Sequence, residues 1–205
     1  MKWPRRLLLA AIALAAFSLW LPWVWHRSAA LVLSGLDLAE FVRFMGEVRS
    51  GGVRVFPLAF YVPVVVLALA LAATAASRRL SVYARLVALA FSLWLLALIF
   101  PPLERRVELV LFSAGAVALF LILSLWRPPV AAHLSLLCLA ALATGVAPLV
   151  QYSLLLPSLT RLYASHITAG VGVYLAGGAL LLAVAATGWL LALARRSLGR
   201  YAKRA

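Results

Sequence analysis

The chain is poor in charge and poorest in acid: Asp and Glu together number five among 205 residues, and charged side chains make up 12% of the whole. A soluble domain of that length needs more polar surface than such a composition supplies. A single cysteine, Cys138, excludes a disulfide scaffold, and a hydrophobic content of 66% excludes a disordered or collagen-like chain. Also missing is any Asp, Glu, Lys or Arg from the middle of the long apolar stretches. A charge there would mark a proton path, an ion-coupling carboxylate or a voltage sensor. No phosphate loop or metal-ligand spacing names an activity. What the sequence does have is apolar length, with a mean hydropathy of +1.08.

Crossing a hydrocarbon core of about 30 Å takes roughly 20 apolar residues in a helix. Windows free of charge predict six transmembrane helices at about 7–25, 57–76, 83–100, 108–126, 130–150 and 167–194. Their continuous Leu, Ala and Val runs lack the alternation of barrel strands, and helices satisfy their own backbone in lipid. The expected fold is all-α: one domain, a polytopic bundle of six spans, with an amphipathic interfacial helix after the first. Short turns at 77–83 and 127–129 suggest successive hairpins. The first window begins like a secretory signal, but it ends in Trp20-Leu-Pro-Trp23-Val-Trp25, an interface anchor rather than a cleavage site, and is read as a retained span.

Orientation follows from Lys and Arg. With the N-terminus inside, twelve of the 19 basic residues fall on the cytoplasmic side and seven outside, and all five acids lie outside. Both termini are therefore expected in the cytoplasm of a bacterial-type inner membrane. The net charge of +14 is mostly this bias, so no nucleic-acid partner is expected. The basic tail 195–204 is expected on anionic lipid.

The longest outer segment carries capping-box spacing at Ser34 and Asp37, followed by Leu38, Phe41, Val42, Met45 and Val48 at helical intervals, with Gly51-Gly52 as a stop. It predicts an amphipathic helix over about 35–49, acting as a lid on the bundle, a docking surface or a gate over a cavity. A second outer segment, 151–166, is partly apolar and is expected in the interface as well. In the last span Gly172, Ala176, Ala179, Ala183 and Thr187 form a small-residue face for close helix packing, within the bundle or against another molecule. Pro63, and Gly145 with Pro148, are expected to bend their helices.

The polar candidates are few. His26, Glu40, Glu47, Glu104, Glu108 and His166 could converge on a cation, although none has motif spacing. A salt-bridge cluster of Glu104, Arg105, Arg106 and Glu108 is the plainer expectation. His133 reads as interfacial and Cys138 as a small hydrophobe. Tryptophans 20, 23 and 25 mark the outer interface and 3, 126 and 189 the inner one; Trp94 lies deeper, in the core or stacked on a ligand.

Leu21-Pro22-Trp23 closing the first helix, the stretch Ser34-Gly35-Leu36-Asp37 and a final helix bearing Gly172-Val-Tyr-Leu-Ala-Gly177 resemble small uncharacterised bacterial multi-pass proteins, a resemblance that implies no activity. Ala11-Ile-Ala-Leu-Ala15, in a basic six-helix chain, is similar to the substrate-binding components of energy-coupling-factor vitamin transporters, in which such a motif contacts the coupling subunit. The expected role is a non-catalytic subunit or scaffold of a larger membrane assembly, whose partners are the lipid bilayer and other membrane subunits. The alternative is a transport component binding a small solute or lipid in an outer cavity lined by Thr144, Gln151, Tyr152, Thr168 and Tyr174. A membrane enzyme stands third. No cofactor is expected.

Overall fold

The computed structural model describes residues 2–26, 31–77, 80–100, 105–125, 130–163 and 167–202. Eight helices dominate it: α1 (Lys2–Ser18), α2 (Gly35–Phe44), α3 (Gly46–Arg49), α4 (Val62–Ala75, entered through a 3-10 turn at Pro57–Tyr61), α5 (Val82–Ile99), α6 (Arg106–Leu125), α7 (Val130–Leu162) and α8 (Val171–Ala202). Five are long and apolar enough to cross a membrane: α4 with its 3-10 entry, α5, α6, α7 and α8. That makes this a multi-pass helical membrane protein.

The first span departs from expectation. Instead of running over 7–25, α1 ends at Ser18 after 17 residues, and its first two turns hold Lys2, Arg5 and Arg6. The chain turns at Leu19–Leu21 and becomes strand β1 (Pro22–His26). Pro22 has no N–H to continue a helix, and the Trp23 indole N–H donates to the Ser18 carbonyl at 2.8 Å, satisfying one orphan acceptor of the helix end. β1 pairs antiparallel with β2 (Leu31–Ser34) and with the short β3 (Thr168–Ala169), in the order β2-β1-β3. The fold is thus helical with a small sheet at one end, which we call the cap end, rather than wholly α.

Other boundaries shift for local reasons. Over 35–49 the helix is in two pieces, because Met45 is extended (φ −68°, ψ 126°) ahead of Gly46. Pro63 lies in the first turn of α4, where a missing N–H leaves nothing unpaired, so it bends no helix. α7 does not stop near residue 150; it continues with Pro148 and Pro157 inside it, and the expected interfacial stretch from 151 is helix as far as Leu162.

Packing is not a row of hairpins. α4 is central, touching α1, α5, α6 and α7. α4 and α5 do form a hairpin, joined where Ser92 Oγ donates to the Ala68 carbonyl at 2.7 Å. α6 and α7 make no extended contact although they are consecutive; α6 packs on α4 and α5, and α7 on α1, α4 and α8. α1 runs antiparallel to α8, with Leu8, Ala11 and Ile12 beside Ala183, Ala186 and Leu190 at one end and Ala16 in the cluster of Ala176 at the other. The first half of α1 and the Ala183–Leu190 stretch of α8 therefore lie away from the sheet.

Candidate functional site

Most polar and aromatic contacts of interest gather at the cap end, around Trp23. Its ring is fully buried and meets Phe60 and Tyr152 edge-on, with centroids 6.0 and 5.7 Å apart. Three glycines let the backbone approach it. A Cβ on Gly35 would stand 2.9 Å from the Trp23 Nε1, one on Gly172 would overlap the Trp23 ring, and one on Gly170 would overlap the Pro22 carbonyl, whose neighbour Trp23 accepts the Gly170 N–H at 2.9 Å. Leu21-Pro22-Trp23, Ser34-Gly35-Leu36-Asp37 and the start of α8 meet at this one point.

Helix α2 lies over the junction and is fixed at both ends. Ser34 Oγ accepts from the Asp37 N–H at 3.1 Å while the Asp37 carboxylate accepts from the Ser34 N–H at 2.9 Å, the expected capping box. Gly51, at φ 78°, ends the segment. Leu38 and Val42 are fully buried, Met45 nearly so, and Phe41 and Val48 are partly buried against the same core. These apolar residues face this chain's own interior.

Beside α2 sits a charge node. Glu40 accepts the Tyr61 hydroxyl at 2.5 Å and, on the same oxygen, a guanidinium N–H of Arg105; its other oxygen lies 3.9 Å from Arg43. The Arg105 guanidinium is 4.9 Å from the centre of the Tyr61 ring. Its side chain is 2% exposed, and its Nη1 has no hydrogen-bond partner among the described residues. The expected cluster at the start of α6 is therefore not what Arg105 joins: it reaches back to α2, where a carboxylate and an aromatic face desolvate it together. Glu104 lies outside the described residues. The node ties α2 to the entry of α4 and to the start of α6.

A cavity of about 170 Å³ opens between α3 and the end of α7, lined by Met45, Gly46, Glu47, Ser158, Arg161 and Leu162. The Glu47 Oε2 is buried, without a hydrogen-bond partner among the described residues.

The remaining candidates disperse. Thr144 Oγ donates to the Ala141 carbonyl, Gln151 Oε1 accepts the Phe56 N–H at 2.8 Å, Thr168 Oγ donates to the Trp25 carbonyl, Tyr152 is buried against Trp23, and Tyr174 is exposed. The two hydroxyls and the amide are thus each engaged within the chain, at three different places. His26 lies tilted against Tyr163 with ring centres 5.3 Å apart, and among the described residues no three of His, Cys, Asp and Glu come together to hold a metal; His166 lies outside them. Gly172, Ala176, Ala179 and Ala183 are buried, and Thr187 is partly so, on the side of α8 that meets α1 and α7. Ala11 and Ala15 are buried likewise. Gly145 admits Leu180: a Cβ there would lie 2.7 Å from the Leu180 Cβ, so its role is close approach of α7 to α8. Of the tryptophans expected at the outer interface, Trp23 is core, whereas Trp20 and Trp25 are exposed. Trp94 is exposed too, stacked on Phe91, and so not in the core. Trp126 and the side chains of 195–204 lie outside what is described. Sequence reasoning missed the long-range partners of Glu40 and the buried face of Glu47, since both depend on which loops meet.

Comparison with protein-family models, curated proteins and solved structures gives no match.

Proposed function

We propose that the protein is a non-catalytic subunit or scaffold of a larger assembly in a bacterial-type inner membrane, with both termini in the cytoplasm and the cap outside. The Lys and Arg bias supports the orientation. The polar groups of the cap support the lack of catalysis, because most are engaged in holding the chain together: Ser34 and Asp37 cap a helix, Gln151 holds Phe56, Glu40 clasps Arg105, and Trp23 closes α1.

The observation that carries the assembly reading is the one-sided burial of α6. Ala116 alone among its described residues is buried, and Val107, Val110, Leu111, Leu121, Ile122 and Leu125 are all exposed. A helix held on one edge by α4 and α5 leaves an apolar face for lipid and for neighbouring helices. Native mass spectrometry of the protein extracted gently from its own membrane should show stoichiometric protein partners, and a photo-crosslinker at Leu111 or Leu121 should capture one of them. A bare monomer, with crosslinks to lipid alone, would overturn the reading.

A further inference from the structure

We infer that Arg85 holds the phosphate of an anionic phospholipid at the end of the bundle opposite the cap. The entry of α4 meets Trp23 through Phe60, and α6 begins just after Arg105, which is bound to Glu40, so Ala75 and Ser124 near the other ends of these helices mark the far side. Arg85 is fixed there from three directions. Its Nε donates to the Ala75 carbonyl at 2.9 Å, its Nη2 donates to Ser124 Oγ at 3.3 Å, and its guanidinium lies 5.5 Å from the centre of the Phe120 ring. All three partners are uncharged. Among the described residues the ion pairs are those of Glu40 with Arg43 and Arg105, and the sequence has no Asp or Glu between Glu47 and Glu104 or after Glu108. Glu108 stands roughly 24 Å from Ser124 along α6, where an ion pair needs about 4 Å. A guanidinium drawn partly out of water without a counter-ion is costly, and an anion from outside the chain removes that cost.

The remaining donors can be reached. Arg85 is half-buried, and, unlike the Nη1 of Arg105, none of its nitrogens is buried without a partner among the described residues. The open side of a fixed guanidinium suits two oxygens of one phosphate. Arg85 also lies in the first turn of α5, the level at which a span meets lipid headgroups. Val82 and Leu86, close to it in α5, and Leu125, next to Ser124, are exposed and offer acyl chains an apolar surface. The scarcity of acid selects among headgroups. A choline or ethanolamine ammonium finds no carboxylate on these elements, and the connection from α4 to α5 adds Arg78 and Arg79, which lie outside the described residues. A phosphodiester without a cation of its own, as in phosphatidylglycerol, fits this chemistry.

The full chain in detergent is titrated with phosphatidylglycerol or phosphatidylcholine of equal acyl composition, and the first bound lipid is read by native mass spectrometry. Phosphatidylglycerol should bind about tenfold more tightly, the worth of one charge-assisted hydrogen bond. Arg85→Gln should bring the two lipids to near parity. Arg5→Gln combined with Arg6→Gln removes two exposed cations of α1, one of them resting 5.4 Å from the Trp3 ring centre, and should leave the preference in place. Equal affinity for the two lipids overturns the proposal, as does a preference that survives Arg85→Gln. A preference lost equally in the Arg5 and Arg6 variant also overturns it, since diffuse surface charge would then suffice. Inorganic phosphate in excess should not displace the lipid, which its acyl chains also hold; displacement would replace the lipid with a free anion. Should Arg85→Gln fail to fold, a phosphatidylglycerol with a photoreactive headgroup decides on the unaltered chain: adducts are expected within 81–87 or 120–125, and adducts only elsewhere overturn the proposal. The assembly reading stands or falls separately, on protein partners.

Discussion

Helices α1, α7 and α8 are joined differently from α4, α5 and α6. In the first group small residues do the work: Ala11, Ala15 and Ala16 on α1 and Ala176, Ala179 and Ala183 on α8 are all buried, and Gly145 admits Leu180. In the second, α4 is central and buries Ala68, Ala72 and Ala75, while α5 and α6 are attached to it and to each other by long side chains and single polar contacts, with their far sides open. Arg85 donates to the Ala75 carbonyl at 2.9 Å and to Ser124, and Ser92 reaches Ala68. α6 is no less apolar than α8, yet almost none of it is buried. Apolarity does not separate a core from a lipid-facing surface when the solvent is itself apolar; small residues that let backbones approach do.

The sharpest test of that contrast is a pair of glycines. Gly172→Leu forces a side chain into the Trp23 ring and should destabilise by about 3 kcal/mol or more, seen as aggregation on size-exclusion chromatography in detergent. Gly115→Leu on α6, where a Cβ meets nothing, should shift thermal unfolding by no more than about 0.5 kcal/mol. Equal losses would erase the distinction.

A smaller effect is expected where the groups are bridged. Glu40→Ala strands the buried Arg105 and should destabilise by about 2 kcal/mol, discounted from a fully buried pair because Glu40 is 45% exposed. Replacing both, as Glu40→Leu with Arg105→Met, should recover most of the loss in thermal unfolding. If the double variant is as unstable as the single, the node contributes through its geometry rather than by neutralising a buried charge.

Caps come last and sharpen the contrast least. Ser34→Ala should lower stability by about 1 kcal/mol, and Ser81→Ala, which caps α5 by accepting from Ala84, by a similar amount. Arg43→Ala, removing an exposed pair at 3.9 Å, should move the midpoint by less than about 0.5 kcal/mol. A larger loss for Arg43 than for Ser34 would show α2 to be held by charge rather than by its cap and apolar face.

Local sequence carried a good deal of this. The ends of α5 and α6 fall within two residues of the windows read from charge, and the Ser34–Asp37 box forms as its spacing implies. The repeated Phe-Ser-Leu-Trp-Leu shows where such reading stops. At 91–95 it is mid-helix, and at 17–21 the same residues finish α1 and turn, because Pro22 follows one copy and Leu96 the other. Trp23 looked like an interface anchor because aromatic side chains gather at membrane surfaces. It is core because Gly35, Gly170 and Gly172, remote in sequence, leave room for it.

The sequence by itself determined that this chain lives in a membrane, roughly where it crosses, and where helix α2 begins, since these depend on apolar length and on residues a few positions apart. Only the tertiary structure decided that Arg105 answers Glu40 and that α1 lies along α8 rather than along its chain neighbour. Those pairings join residues far apart in the chain, and apolar helices in lipid choose their neighbours by shape and by scarce polar contacts that hydropathy cannot register.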